Sequence, residues 1–253
     1  MGSIGVGCTV DKGVIAQSSS SPSIRVILNE KLIEFPTVKS TIASLTSKPV
    51  EVRLTSSLPL GYGFGISAAS ALSTAWSINK LLNLKKSKLE LAKICHIAEI
   101  INKTGLGSVA TQTTGGFLIK DLPGIPGSAR RLPFEGQKIF ATIIDKLDTP
   151  TMLRDRKKSK RINEEGDMAL NKLKKFKSVS ISEVFDISYQ FAKSCLLLTD
   201  TRVVTLINQI KKNGGHATVA IFGQVVLSDI KPKFDTHYRI EELTISNDIV
   251  HVL

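Results

Sequence analysis

Leu58-Pro59-Leu60-Gly61-Tyr62-Gly63-Phe64-Gly65-Ile66-Ser67-Ala68-Ala69-Ser70 is the most informative stretch of this 253-residue chain. Glycines at 61, 63 and 65 can place backbone N–H groups where no Cβ obstructs a ligand. Ser67 opens an Ala-rich segment expected to be helical, and serine is a favoured N-cap residue. The amides of such a loop and the positive end of the helix converge on one spot, which suits a polyphosphate. Spacing separates the known phosphate loops. A Walker loop requires G-x-x-x-x-G-K-[ST], and no lysine follows these glycines. Gly63-x-Gly65-x-x-Ala68 fits G-x-G-x-x-A, but that fingerprint needs a strand running directly into the glycines. Pro59 interrupts the approach from residues 50–54, and the segment after the helix reads as another helix. A structural alternative, a turn with small residues for close helix packing, accounts for Ala68, Ala69 and Ala71. It leaves unexplained why Ser67 stands where an anion or metal would meet it.

Composition bounds the rest. The chain is long enough for one large domain or two lobes. Its apolar content of 42% is that of an ordinary globular protein rather than a disordered one. No apolar run approaches a membrane span, and no basic region precedes an apolar start, so neither a membrane partner nor a signal peptide is expected. Cys8, Cys95 and Cys195 are odd in number and scattered, which fits a reducing cytoplasm better than a disulfide framework. The net charge is +12, and part of the excess sits in residues 154–161, with more in 172–177. Aromatic residues do not interleave with these runs, so a solvated helix surface or attraction of anionic substrates is expected rather than nucleic-acid binding.

Along the chain, residues 24–28 and 32–35 read as a hairpin and residues 50–54 as a strand. Helices are expected from Ser67 to about Leu82 and, behind the capping box Ser87-x-x-Glu90, to about Asn102. Gly105 and Gly107 end that helix, and Gly115-Gly116 introduce a short strand at 117–120. Prolines 123, 126 and 133 mark a loop and a lobe boundary, giving lobes of residues 1–136 and 137–253. The second half reads as a strand at 138–144, helices near 163–176, 182–195 and 202–212, and strands at 218–222, 225–227, 238–245 and 249–253. Strands and helices mix without regular βαβ alternation, which argues for two α+β lobes.

The pattern P-x-x-x-G-[LF]-G-x-S-A-A, met by Pro59, Gly63, Phe64, Gly65, Ser67, Ala68 and Ala69, resembles the second motif of the GHMP kinase superfamily. Gly5–Val14, Thr104–Gln112 with Gly115-Gly116, Leu122–Gly127, Arg161–Gly166 and Gly215–Gly223 are similar, in order, to segments of its pantoate kinase branch. The resemblance implies a GHMP kinase-like fold: a ribosomal-S5-domain-2-like N-terminal lobe followed by a ferredoxin-like C-terminal lobe. It implies ATP-dependent phosphorylation of pantoate to 4-phosphopantoate, a step of coenzyme A biosynthesis. Another small hydroxylated acid as acceptor, or a nucleotide-binding protein without catalysis, stays open, as does a homodimer.

The same resemblance distributes the roles. ATP would be held by Pro59, Gly61, Tyr62, Gly63, Phe64, Gly65, Ile66, Ser67, Ala68 and Ala69, and Mg²⁺ by Ser67 and Glu99. Glu99 stands one or two turns before Gly105-Leu106-Gly107; an exposed glutamate near Lys103 is the plainer alternative. Ser108 occupies the position of the family's catalytic acid. A hydroxyl cannot accept the substrate proton as a carboxylate would, so a γ-phosphate oxygen is the expected acceptor. The sequence starts within the region of the superfamily's Pro-containing first motif, so either its true start lies upstream or part of the acceptor site is lacking, and Ile4 stands where relatives often carry a basic residue. His96 and His216 read as a packed helix residue and a loop residue.

Overall fold

The computed structural model describes residues 2–146, 156–221, 223–233 and 237–252. The chain divides into two compact units. The first holds Met1–Leu60, Gly65–Leu132 and Ser246–Leu253, the second Gly61–Phe64 and Pro133–Ile245.

In the first unit, β2 (Val14–Ser20), β3 (Arg25–Leu28), β4 (Lys31–Leu32) and β5 (Val50–Ser56) form a sheet in the order β2-β5-β3-β4. β5 alternates buried and outward residues, with Val50, Val52 and Leu54 inward, as a half-buried strand must. The expected hairpin is present, although its second strand is only two residues long because Pro36 starts a helix. That helix, α1 (Pro36–Leu45), has no counterpart in the sequence reading. Proline at its first turn supplies the preset φ, and Val38, Ile42 and Leu45 bury its inner face. α2 (Ile66–Leu81) packs against α1, β2 and α3 (Lys88–Asn102) through Ala68, Ala71, Leu72, Ala75 and Ile78. The α3 capping box is as expected: Ser87 Oγ accepts from the Glu90 N–H, and the Glu90 carboxylate accepts from the Ser87 N–H at 2.8 Å.

A second sheet joins β1 (Gly5–Cys8), β6 (Phe117–Lys120) and β7 (Ala129–Leu132) in the order β1-β6-β7. β7 lies inside the segment expected to be loop; Lys120 pairs with Ala129, and Phe117 with Leu132. A short helix, α4 (Ser108–Thr114), precedes β6. The last residues need correction. Residues 249–252 form no strand, and the tail from Ser246 belongs to the first unit, not to the second lobe. Its anchor is explicit: the Gly116 N–H donates to Ser246 O at 3.0 Å, and the Ser246 N–H donates to Thr9 O at 3.1 Å.

The second unit carries β8 (Lys138–Asp145), α5 (Arg156–Lys174), α6 (Ile181–Ser194), α7 (Thr201–Lys212), β9 (Ala217–Val219), β10 (Gln224–Ser228) and β11 (Arg239–Thr244). Its sheet is antiparallel throughout, in the order β11-β8-β10-β9. That is the split β-α-β order of a ferredoxin-like sheet, without a helix between β10 and β11 among the described residues. Val203, Leu206, Ile207 and Ile210 of α7 pack with Ala217, Val219 and Val226 into its core. Residues 154 and 155 of the basic run and Phe222 of the expected strand at 218–222 lie outside the described residues. Among those described, no helix is long and apolar enough to cross a membrane.

Candidate active site

The glycine-rich loop links β5 to α2, and its backbone uses the freedom that glycine provides. Gly61 and Gly63 both sit at φ +90° and Gly65 at φ +69°, where other residues are strained. Gly65, rather than Ser67, is the N-cap of α2, and no side chain caps the helix. The first-turn amides are therefore left without intrahelical partners. Ser67 is the second helical residue, with its hydroxyl committed elsewhere. Ile66 and Ala68 turn their side chains into the core, so only their backbone can meet a ligand. Two donors hold the Gly65 carbonyl: the Ala69 N–H at 3.0 Å and Gln112 Nε2, from α4, at 2.9 Å. Within the second unit, Gly223 runs so close beneath the loop tip that a Cβ there would fall on the Tyr62 carbonyl.

Glu99 is buried, at 2% exposure, which rules out the exposed helix glutamate. Thr104 Oγ1 donates to Glu99 Oε1 at 2.8 Å, and the Ser67 hydroxyl also hydrogen-bonds the carboxylate. Burial pushes the Glu99 carboxyl above the ordinary glutamate range; the bonds from Ser67 and Thr104 and the nearby His96 pull it partly back. No lysine or arginine pairs with Glu99 among the described residues. Gly105 passes so close that a Cβ there would fall on Glu99 Oε2. Thr37, from α1, completes the group: its Oγ1 lies 2.8 Å from Thr104 Oγ1 and 3.3 Å from Ser67 Oγ.

Ser108 is the first residue of α4, and its Oγ would lie 3.7 Å from a Cβ at Gly65. The structure thus gathers Ser67, Glu99 and Ser108 around the start of α2. It adds one residue that the sequence reading passed over. Lys120, on β6, is 6% exposed, and its Nζ donates to Gly107 O at 3.0 Å, one residue from Ser108. Burial pulls its ammonium down to about 8. Lys120 also borders a cavity of about 340 Å³ with Trp76, Ala110 and Ile125. Only a lysine at the end of an otherwise apolar strand, Phe117-Leu118-Ile119-Lys120, hinted at this from sequence. His96 is buried in α3, as expected for a packed residue. His216, in the loop before β9, bonds Asp186 through Nδ1 at 2.7 Å.

The donor set suits a hard divalent cation. Serine hydroxyl and carboxylate oxygens match Mg²⁺, which commonly takes one or two carboxylates together with phosphates and water. The described residues contain no cluster of three or more His, Cys, Asp or Glu able to form a closed metal cage. Phosphate oxygens would have to supply the remaining ligands.

Residues 32–116 match the family described as GHMP kinases N terminal domain. A pantoate kinase of Methanocaldococcus jannaschii is 29% identical over 215 residues, covering 83% of this chain and 77% of the relative. One from Methanospirillum hungatei is 27% identical over 234 residues, covering 88% and 76%. Among solved structures, a phosphotransferase related to the CoA biosynthesis pathway aligns with a TM-score of 0.84 at 24% identity, covering 98% of this chain and 88% of that one. A mevalonate kinase aligns with a TM-score of 0.66 at 15% identity, covering 96% and 92%.

Proposed function

We propose that this chain, whose residues 32–116 match the GHMP kinases N terminal domain, is a GHMP kinase that transfers the γ-phosphoryl group of ATP to the primary hydroxyl of pantoate. The observation that carries this reading is the convergence of Ser67, the buried Glu99 carboxylate and Ser108 on the amide-rich start of α2. The likeness to pantoate kinases along most of the chain supports the choice of acceptor.

Phosphoryl transfer asks a protein mainly for alignment and charge neutralisation. The loop amides from Gly61 to Ala68 would hold the β- and γ-phosphate oxygens. Ser67 and Glu99 would hold Mg²⁺, which when bound neutralises charge building on the phosphates. The acceptor hydroxyl attacks the γ-phosphorus, the bond to the β–γ bridging oxygen breaks, and ADP leaves. Ser108 offers no carboxylate, so the hydroxyl proton passes to a γ-phosphate oxygen. Lys120 supplies the positive charge that an acceptor carboxylate needs. Three free cysteines support a reducing, cytoplasmic setting.

The test is phosphorylation of pantoate, homoserine and mevalonate in parallel with ATP and Mg²⁺. Turnover of pantoate is expected. Turnover of another acid with none of pantoate would overturn the assignment, and nucleotide binding without any transfer would identify a non-catalytic member.

A further inference from the structure

The hydroxyls around Glu99 form a chain whose proton directions can be worked out one at a time. An ionised carboxylate only accepts, so Thr104 Oγ1, at 2.8 Å from Glu99 Oε1, donates to it. With its single proton used, Thr104 Oγ1 must accept from Thr37 Oγ1 at 2.8 Å. Thr37, with its own proton used in turn, can only accept from Ser67 Oγ at 3.3 Å. Thr37 is fully buried in the first turn of α1, so water does not replace these partners.

This order matters for a hydroxyl that ligates a cation. Such an oxygen must aim a lone pair at the cation and its proton elsewhere. If the Ser67 proton stays on Glu99, it is aimed at the very group that shares the cation. From these distances we propose that Thr37 is a positioning residue, which accepts the Ser67 proton and passes orientation through Thr104 to Glu99 Oε1. The Ser67 lone pairs and Glu99 Oε2 are then left to face a divalent cation on the nucleotide. Gly105 keeps the space around Oε2 open, since a Cβ there would fall on that atom. Thr37 touches neither nucleotide nor metal; it acts through Ser67 and Thr104. The inference rests on the reading of this site as a metal–nucleotide site.

The experiment is calorimetric titration of the full chain with ADP, once with Mg²⁺ and once with EDTA. Thr37→Val has nearly the shape of threonine and removes only the hydroxyl. It should weaken Mg²⁺–ADP binding about tenfold while metal-free ADP binding stays within about twofold, and Thr37→Ser should recover wild-type binding within about twofold. Thr104→Val reaches the same chain from a less buried position and should show the same metal-selective loss. The double variant should be weaker than either single by no more than about twofold, because one chain is broken in both. Equal losses with and without metal, no loss, or additive losses would overturn the proposal. If wild-type ADP binding itself ignores Mg²⁺, the metal–nucleotide reading falls and this inference with it. If wild type shows the dependence and Thr37→Val keeps it, only the role of Thr37 falls.

Discussion

Replacing Lys120 by methionine should change how stability depends on pH, and the size of the effect follows from the burial of the ammonium. Lys120 is 6% exposed, and its hydrogen bond goes to a neutral carbonyl, Gly107 O, rather than to a carboxylate. Burial lowers it from the ordinary 10.5 to about 8. At about 1.4 kcal/mol per pKa unit, keeping the charge buried costs the folded state about 3 kcal/mol. The sign is fixed by linkage. Near pH 7 both folded and unfolded chains carry the proton, so the full penalty is present. Between about 8 and 10.5 the unfolded chain holds the proton and the folded chain has released it, so stability rises with pH. From about pH 7 to pH 10 this lysine alone should raise stability by about 2.5 kcal/mol. Denaturant unfolding of wild type and Lys120→Met at both pH values isolates that contribution, because the other lysines cancel in the difference. The stability difference, wild type minus variant, should rise by about 2 to 3 kcal/mol. A difference that does not move with pH would refute the reasoning. In kinetics the same variant should raise the KM for pantoate at least tenfold and leave the KM for ATP within about twofold, a split that lost folding would not produce.

Three further outcomes are expected. Ser67→Ala should lower unfolding free energy by about 1 to 3 kcal/mol, because its hydroxyl bonds the buried Glu99 carboxylate and Thr37, yet lower kcat/KM for Mg²⁺–ATP at least a hundredfold under conditions where the variant stays folded; an activity loss no larger than the loss of folded protein would contradict it. Gly105→Ala would set a methyl on Glu99 Oε2; denaturant unfolding should show a loss of about 1 to 3 kcal/mol, and nucleotide titration should show weaker Mg²⁺ dependence. Ser108→Ala should keep turnover within about threefold, since its hydroxyl is no base; a loss beyond a hundredfold in steady-state assays would place Ser108 on the proton path.

The parts of the site that can be read from sequence are those written in local backbone chemistry. Three alternating glycines before an Ala-rich run announce the loop and α2, and Ser87-x-x-Glu90 announces α3, which carries Glu99. The parts that cannot be read come from tertiary packing. α1 is rich in β-branched residues, Thr37, Val38, Thr41 and Ile42, whose intrinsic helix preference is weak. It is a helix because that face is buried, and with α1 went Thr37. Lys120 escaped for a related reason: a lone lysine reads as solvent-facing until β1 and β7 enclose its strand. Ser67 reads as an N-cap but is the second residue of α2, since the left-handed backbone of Gly65 starts the helix two residues earlier than a serine cap would. The expected strand at 249–253 had apolar residues but found no strand to pair with.

The double clasp on the Gly65 carbonyl bears on the entropy of recognition. A glycine is the residue with most freedom to lose, and here that freedom is removed during folding, by the Ala69 amide from one side and Gln112 from the other. An incoming triphosphate would meet amides already aimed, so what it must overcome is mainly the water around them. Held at this carbonyl, the string of glycines has one fixed end, where the first-turn amides of α2 begin.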